Sequence, residues 1–408
     1  MPTAIVTGAT GINGREIIHA LSADPTTWPT VHAFSRSQRE SYPPHIHHDT
    51  VDLLSSADVI AKELSAVGIS GEKGGVDVVF FTAYLQRGDE AEMARTNGSM
   101  LRNFLEALRI TGAEKALKRV VLTTGAKQYG VHLGPVKNPM EEEDPWLEDG
   151  DAHGEEVAAG VKQRILVEMS KGKGWDWVVT YPNDVIGVAK GNFMNLTTAL
   201  GLYAAVTKEL NAPFIFPGSP KFYTKLDCFT YSRLHARFNL WAATEPRAGN
   251  NAFNVVNGDV QSWQTMWPRL AKRFGLTIPK DQFAGRHDDR VMVLNERPPL
   301  CKLEEEMGIT GHVPRGEVRM HVDLTAWSQR HDVRQAWERL AEREGLQKDA
   351  FDKATWLFMN FVLGRNFDLI ISMNKARRFG FDGWCDTWEA LSECLDELER
   401  EKILPRRK

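Results

Sequence analysis

The sequence predicts an α/β fold, a doubly wound parallel sheet followed by a mainly helical C-terminal part, on three observations. A β-branched run, Thr3–Thr7, leads directly into glycines at 8, 11 and 14 and then into a helical pattern. Strand-like runs alternate with helical stretches as far as residue 187. Beyond that point long helical stretches rich in tryptophan take over, with a single strand-like run at 253–256.

The first strand is the most informative. TAIVT is the continuous apolar run expected of a strand buried on both faces. In the G-x-x-G-x-x-G that follows, one glycine permits the tight turn, one lets the backbone approach a pyrophosphate, and one packs helix on strand. The helix through Ile17, Ile18 and Leu21 then offers its N–H groups and dipole to an anion. A glycine triplet alone is a weak signal; the strand before it and the helix after it make it a Rossmann-type dinucleotide site. The second strand, Thr30–Phe34, ends in Ser35, Arg36 and Ser37, with Arg39 close by. NAD enzymes place an acid on the ribose 2′-hydroxyl about 20 residues after the glycines. A hydroxyl and a guanidinium in that slot favour a 2′-phosphate, hence NADP(H).

Asp52 and Leu53 follow the third strand and either meet the adenine or cap a helix. Val76–Phe81 and Arg119–Thr124 read as buried strands. Residues 90–110 read as a helix with Leu101, Phe104, Leu105 and Leu108 on one face. Trp175–Thr180 is the sixth strand, stopped by Pro182. Residues 192–210 and 227–241 read as helices, and 253–256 as a strand returning to the nucleotide-binding part. Residues 281–322 read as loop-rich, and the remainder as mostly helical. The expected division is a dinucleotide-binding domain over 1–190 and a substrate-binding part over 191–408.

Composition limits the alternatives. The chain has 408 residues, 42% hydrophobic and 25% charged, a soluble globular mix that excludes disorder, collagen and coiled coil. Length alone suggests two or three units at about 150 residues each. Fifty basic against 54 acidic side chains give a net charge of −4, which argues against a nucleic-acid footprint over the whole chain. No apolar run reaches the roughly 18–20 residues of a membrane helix. The glycine motif lies where the apolar core of a signal peptide would be. Four cysteines without a CxxC pair fit a reducing compartment, so a cytoplasmic location is expected. His45, His47, His48 and Asp49 lack a patterned fourth ligand, so no metal is expected. The acidic run Glu141–Asp144 reads as a solvated loop. Glu155 and Glu156 read as favourable charge at a helix start rather than as a base.

Lys127 stands just after the strand RVVLTT, at the edge where doubly wound folds place ligands. An ammonium there binds the nicotinamide ribose and lowers a neighbouring phenol's pKa; the alternative is a surface lysine. Around it the sequence resembles the PRISE family, the progesterone 5β-reductase/iridoid synthase-like short-chain dehydrogenases/reductases. The resemblance lies in TGATGING at 7–14, NGSMLRNFLEAL at 97–108, TTGAKQYGVHLG at 123–134, the block at 253–275 and SMNKARRFGF at 372–381. It implies an extended short-chain dehydrogenase/reductase fold, and reduction by NADPH of the C=C bond of enones and enals.

By the resemblance, Gly8, Gly11 and Gly14 hold the phosphates, Arg36 the 2′-phosphate, and Lys127 takes the catalytic lysine position. Thr10, Ile12, Ser35, Asp52, Leu53, Thr82 and Thr124 complete the candidate cofactor set. Met194 and Phe379 are either pocket walls or core, and Tyr84 is a candidate substrate contact.

One departure stands out. The family's tyrosine, about thirty residues after the lysine, falls at Ala159 or Gly160 here, and no tyrosine lies between Tyr129 and Tyr181. The family's Arg-Pro-Gly after strand six is also altered, to Tyr181-Pro182-Asn183. Three explanations compete. Tyr129, Tyr181, Tyr84, His132 or His153 replaces the missing group. Alternatively, the enolate is held electrostatically and protonated by water. Finally, the chemistry is not redox, and a cyclase, isomerase or pericyclic catalyst uses the scaffold with NADP(H) structural or absent. The favoured reading is reduction of an apolar unsaturated carbonyl compound, terpenoid, steroid or polyketide-like, in secondary metabolism. Lys127, Tyr129 and Tyr181 are the candidate catalytic residues. No nucleic acid and no membrane span are expected, and homodimerisation is left open.

Overall fold

Runs of β-branched and aromatic residues become the strands of one seven-stranded parallel sheet. The structure, a computed structural model, describes residues 2–36, 41–72, 75–146, 158–189, 194–284, 290–295 and 297–407. Its N-terminal half contains β1 (Thr3–Thr7), α1 (Gly14–Ser22), β2 (Thr30–Ser35), β3 (Ile46–Thr50), α2 (Ala57–Ala66) and β4 (Val78–Phe81). It continues through α3 (Glu90–Ile110), β5 (Arg119–Thr123), α4 (Ala158–Ser170) and β6 (Asp176–Pro182). Then come β7 (Val185–Ile186), α5 (Leu196–Glu209), β8 (Thr230–Tyr231), α6 (Ser232–Thr244), β9 (Asn251–Val255) and α7 (Trp263–Phe274). The chain ends through β10 (Arg290–Val293), β11 (Glu317–Met320), α8 (Leu324–Gln329), α9 (His331–Glu344), α10 (Trp356–Gly364), α11 (Asn374–Arg378) and α12 (Thr387–Arg400).

The sheet order is β3-β2-β1-β4-β5-β6-β9. Strand order reverses between β1 and β4, which opens the crevice at the carboxyl ends of the strands where such sheets bind ligands. β9 pairs parallel with β6, so the strand expected to return does so. Val78–Phe81 and Arg119–Thr123 are buried throughout, as strands covered on both faces must be.

Helix starts follow local chemistry. Asp89 caps α3 by accepting from the backbone N–H of Glu92 at 2.7 Å. Asn195 caps α5 by accepting from the N–H of Thr198 at 3.2 Å. The side chain of Asn97, buried in α3, closes on the loop after β4. It accepts from the Leu85 N–H at 2.9 Å and donates to the Leu85 carbonyl at 2.8 Å. That loop is thereby fixed over the crevice.

Three expectations change. β6 runs on through Pro182, which pairs with Val255 instead of stopping the strand. Residues 227–231 are extended rather than helical, because the Asp227 N–H bonds Gln261, the Cys228 N–H bonds Leu369 and the Thr230 N–H bonds Asn183. The helix starts at Ser232. Within the loop-rich stretch, β10 and β11 pair as an antiparallel ribbon. Among the described residues, no helix is long and apolar enough to cross a membrane.

Candidate functional site

Above the crevice lies a cavity of about 440 Å³ that runs from the glycine loop to the aromatic C-terminal half. Its phosphate end is made by Gly8, Thr10, Gly11, Ile12, Asn13 and Gly14. Gly8 has φ +70°, and a Cβ there would lie 2.9 Å from the backbone of Ala83. A Cβ on Gly14 would lie 2.2 Å from the Gly8 carbonyl oxygen, so this turn closes only with glycine. No side chain caps α1, and Asn13 and Gly14 line the cavity, so the helix N-terminus faces it.

At one rim stand Ser35, Arg36, Asp52 and Leu53. The Ser35 hydroxyl and His48 Nε2 are 2.8 Å apart. Arg36 is exposed. The Asp52 carboxylate accepts from the Leu54 N–H at 3.1 Å, while Ser56 occupies the N-cap of α2. Asp52 is thus a rim residue and not the cap of that helix. Arg39, His153, Glu155 and Glu156 lie outside the described residues.

The middle is formed by Thr82, Thr123, Thr124 and Lys127. Lys127 Nζ pairs with Glu90 Oε1 at 2.9 Å. Beyond it, Tyr84, Met100, Val131, His132, Lys162, Met194, Phe358 and Phe361 close an apolar chamber, with Asp184 and Arg365 in its wall. Every residue expected at the cofactor therefore lines one cavity, together with Tyr84 and Met194.

Three expected residues are not brought to it. The Tyr129 phenol donates to Asn254 Oδ1 at 2.7 Å, and that amide donates in turn to the Met140 and Ser372 carbonyls. The Tyr181 phenol donates to Gln163 Oε1 at 2.5 Å. Burial, reinforced by the Glu142 charge, holds both phenols well above their ordinary range. Neither phenol lines the cavity, because both are consumed in pinning the sheet to its neighbours. Phe379 packs edge-on against Phe253, ring centroids 5.2 Å apart, partly buried against the core and away from the cavity lining.

Other side chains occupy the chamber instead. Lys162 is buried on α4 and its Nζ donates to the Thr123 carbonyl at 3.1 Å. Nζ also lies 5.7 Å from the centroid of the Tyr84 ring. Burial pushes its ammonium down to about 8. Among the described residues, no carboxylate lies within ion-pair distance of it. His132 is half-buried; both ring nitrogens are shielded from solvent, and neither has a partner among the described residues. Burial, and secondarily the Lys127 charge, holds it down to about 3, so it is a neutral imidazole. Arg365 is buried and paired with Asp184 at 2.5 Å and with Asp227 at 3.6 Å. The one sequence signal for Lys162 is its place in the i, i+3, i+4 stripe with Ile165 and Leu166, the buried face of α4.

The fold and site define a Rossmann-type α/β protein with a glycine loop and an apolar chamber beside the sheet's carboxyl edge. Residues 4–309 match the model of the PRISE-like Rossmann-fold domain, and the chain belongs to that family. It is an enzyme of the short-chain dehydrogenase/reductase superfamily. It is 41% identical over 404 residues to the uncharacterised protein C757.02c of Schizosaccharomyces pombe, covering 98% of each chain. The short chain dehydrogenase gsfE of Penicillium aethiopicum is 29% identical, with 99% of each chain covered. The 3-oxo-Delta(4,5)-steroid 5-beta-reductase of Arabidopsis thaliana is 28% identical, covering 98% of this chain and 93% of that one. Among solved structures, the epimerase Mth375 of Methanothermobacter thermautotrophicus superposes with a TM-score of 0.61 at 15% identity, covering 98% of this chain and 94% of that one, a likeness of fold.

Proposed function

We propose that this enzyme uses NADPH to reduce the C=C bond of an apolar α,β-unsaturated carbonyl compound. The observation that carries the reading is the single cavity joining an uncapped helix N-terminus and Arg36 to an apolar chamber beside Lys127. The cradle fits an anionic dinucleotide, because two glycines leave backbone where a Cβ would collide. Arg36 would meet the 2′-phosphate, the glycine loop the pyrophosphate, and Lys127, held by Glu90, the nicotinamide ribose. When bound, the reduced nicotinamide supplies hydride for the β-carbon. Met100, Val131, Met194, Phe358 and Phe361 exclude water and select an apolar substrate of terpenoid, steroid or polyketide type. The named activity of the Arabidopsis relative, reduction of a steroid enone, supports this class.

The test begins with the nucleotide. Calorimetry should give tighter binding of NADPH than of NADH, and Arg36→Ala should weaken NADPH by about tenfold, one charge-assisted contact, leaving NADH unchanged. Equal affinity in wild type and variant rejects the 2′-phosphate assignment. Oxidation of NADPH against a panel of enals and enones then separates reduction from rearrangement. A substrate cyclised or isomerised while the bound nucleotide stays reduced would defeat the reductase reading.

A further inference from the structure

Resting on that reading, the structure assigns to Lys162 the role of acid: its ammonium holds the substrate carbonyl oxygen and protonates the enolate. Elimination on geometry leads there. A reducing site of this kind needs a proton-bearing group in the chamber where negative charge develops. Tyr129 and Tyr181 are spent on Asn254 and Gln163 outside the cavity. Tyr84 already directs its phenol to Gln86 and Met93. His132 is neutral, Lys127 is paired with Glu90, and Arg365 is paired with Asp184. Lys162 is left.

The ammonium is also under-satisfied. It has three N–H donors, and the Thr123 carbonyl takes one; no other hydrogen-bond acceptor for it is described. A buried cation with donors to spare is costly in an apolar wall unless an oxygen completes its shell. The carbonyl oxygen of a bound enone is such an oxygen. With its affinity for the proton lowered to about 8 by burial, the group holds a proton near neutrality and yields it readily.

The step balances. A bound reduced nicotinamide would supply hydride to the β-carbon and be oxidised by it, and the C=C pair would move to give an enolate. One Lys162 N–H bond breaks and its proton passes to the enolate oxygen, leaving a neutral amine. The enol then tautomerises to the saturated ketone or aldehyde, and the amine regains a proton from water.

The test reads ionisation rather than turnover. A nitrophenol, planar and coloured only as its phenolate, serves as the enolate mimic and is titrated into the NADP+ complex across pH. Wild type should bind it as phenolate, with an apparent pKa lowered by a unit or more. Lys162→Met should bind it at least tenfold more weakly and as the neutral phenol, with unchanged NADPH affinity and a melting temperature no lower. Lys162→Arg, which keeps the charge, should retain the phenolate preference. The Tyr84 ring faces Lys162, His132 and the Glu90-paired Lys127 line the same cavity, and Tyr181 bonds Gln163, the next residue on α4. Tyr84 and Tyr181 are raised and His132 lowered by burial, so none of these three accounts for a limb near pH 8. Lys127→Met is the control for the pair and should leave that limb in place. If NADPH binds and enones are reduced, an unchanged phenolate preference in Lys162→Met overturns the assignment alone. If NADPH does not bind, the reductase reading falls, and the nitrophenol titrated into the free protein still decides whether Lys162 holds an oxyanion.

Discussion

At the scale of single residues, what the sequence discloses depends on whether the requirement is local. Gly8 and Gly14 are legible because a turn and a close backbone approach depend on their immediate neighbours. Lys162 is barely so, since only its place in the stripe with Ile165 and Leu166 separates it from the exposed Lys171. Glu142 makes the same point with a measurable consequence. Within the run Glu141–Asp144 it reads as one more solvated acid, yet it is buried, because Met140 bridges to Ile371 and draws the loop against β9. Its Oε1 accepts from the Asn254 N–H at 2.8 Å, and burial pushes its carboxyl up to about 7 from 4.5. The folded state therefore holds a proton that the unfolded chain releases. Stability should fall as pH rises from about 4.5 to 7 and stay reduced above it. The shift corresponds to a few kcal/mol at most, on the order of 3. Glu142→Gln keeps the acceptor oxygen and removes the charge. Urea midpoints measured from pH 4.5 to 8 should lose that slope, with the variant the more stable at pH 8; parallel curves for the two proteins would refute the account.

At the scale of elements, runs with a strong local pattern form where expected, and α3 spans Glu90–Ile110 to the residue. The pattern fails where distant backbone competes. Residues 227–231 have helical periodicity, but their N–H groups find partners at Gln261, Leu369 and Asn183, so the segment stays extended. The ribbon of β10 and β11 is invisible for a different reason: β10 is exposed along its length and offers no alternation to read. The extended segment has a purpose in packing, because it delivers Asp227 beside Asp184 and Arg365. Asp184 sits at φ +32°, an unfavoured conformation for a residue with a Cβ, held by its bonds to the guanidinium. Burial, with the Asp184 charge beside it, holds the Asp227 carboxyl well above its usual range. Arg365 also stacks on Phe361 at 5.2 Å, so it joins the ion pair to the chamber wall. Arg365→Leu strands a buried carboxylate and should cost about 3–5 kcal/mol in denaturant unfolding. Adding Asp184→Asn should recover a large part of that loss; equal stability of single and double variants would mean that packing, not charge, is what Arg365 supplies.

At the scale of the whole molecule, the boundary at residue 190 cuts through one core. Residues 1–190 contain six of the seven strands and the whole glycine loop. What they lack is the cover. β9 pairs with β6, and α6 packs on β5, β6 and α1. Arg119 of β5 pairs with Asp176 of β6 and donates to the Ala242 and Glu245 carbonyls, closing the carboxyl end of α6. Arg15 of α1 reaches Glu397 and Glu401 near the end of the chain at 2.8 and 2.7 Å. Without 191–408, β6 becomes an unpaired edge and the apolar face under α6 meets water, two conditions that promote association. A fragment of residues 1–190 should therefore unfold without a cooperative transition, bind an apolar dye and show no saturable NADPH binding, although every glycine of the loop is present. Coexpression with 191–408 should restore binding by supplying β9 and α6 in trans. A fragment that melts cooperatively and binds the nucleotide alone would show that the sheet needs no such cover, and that the C-terminal part serves the substrate only.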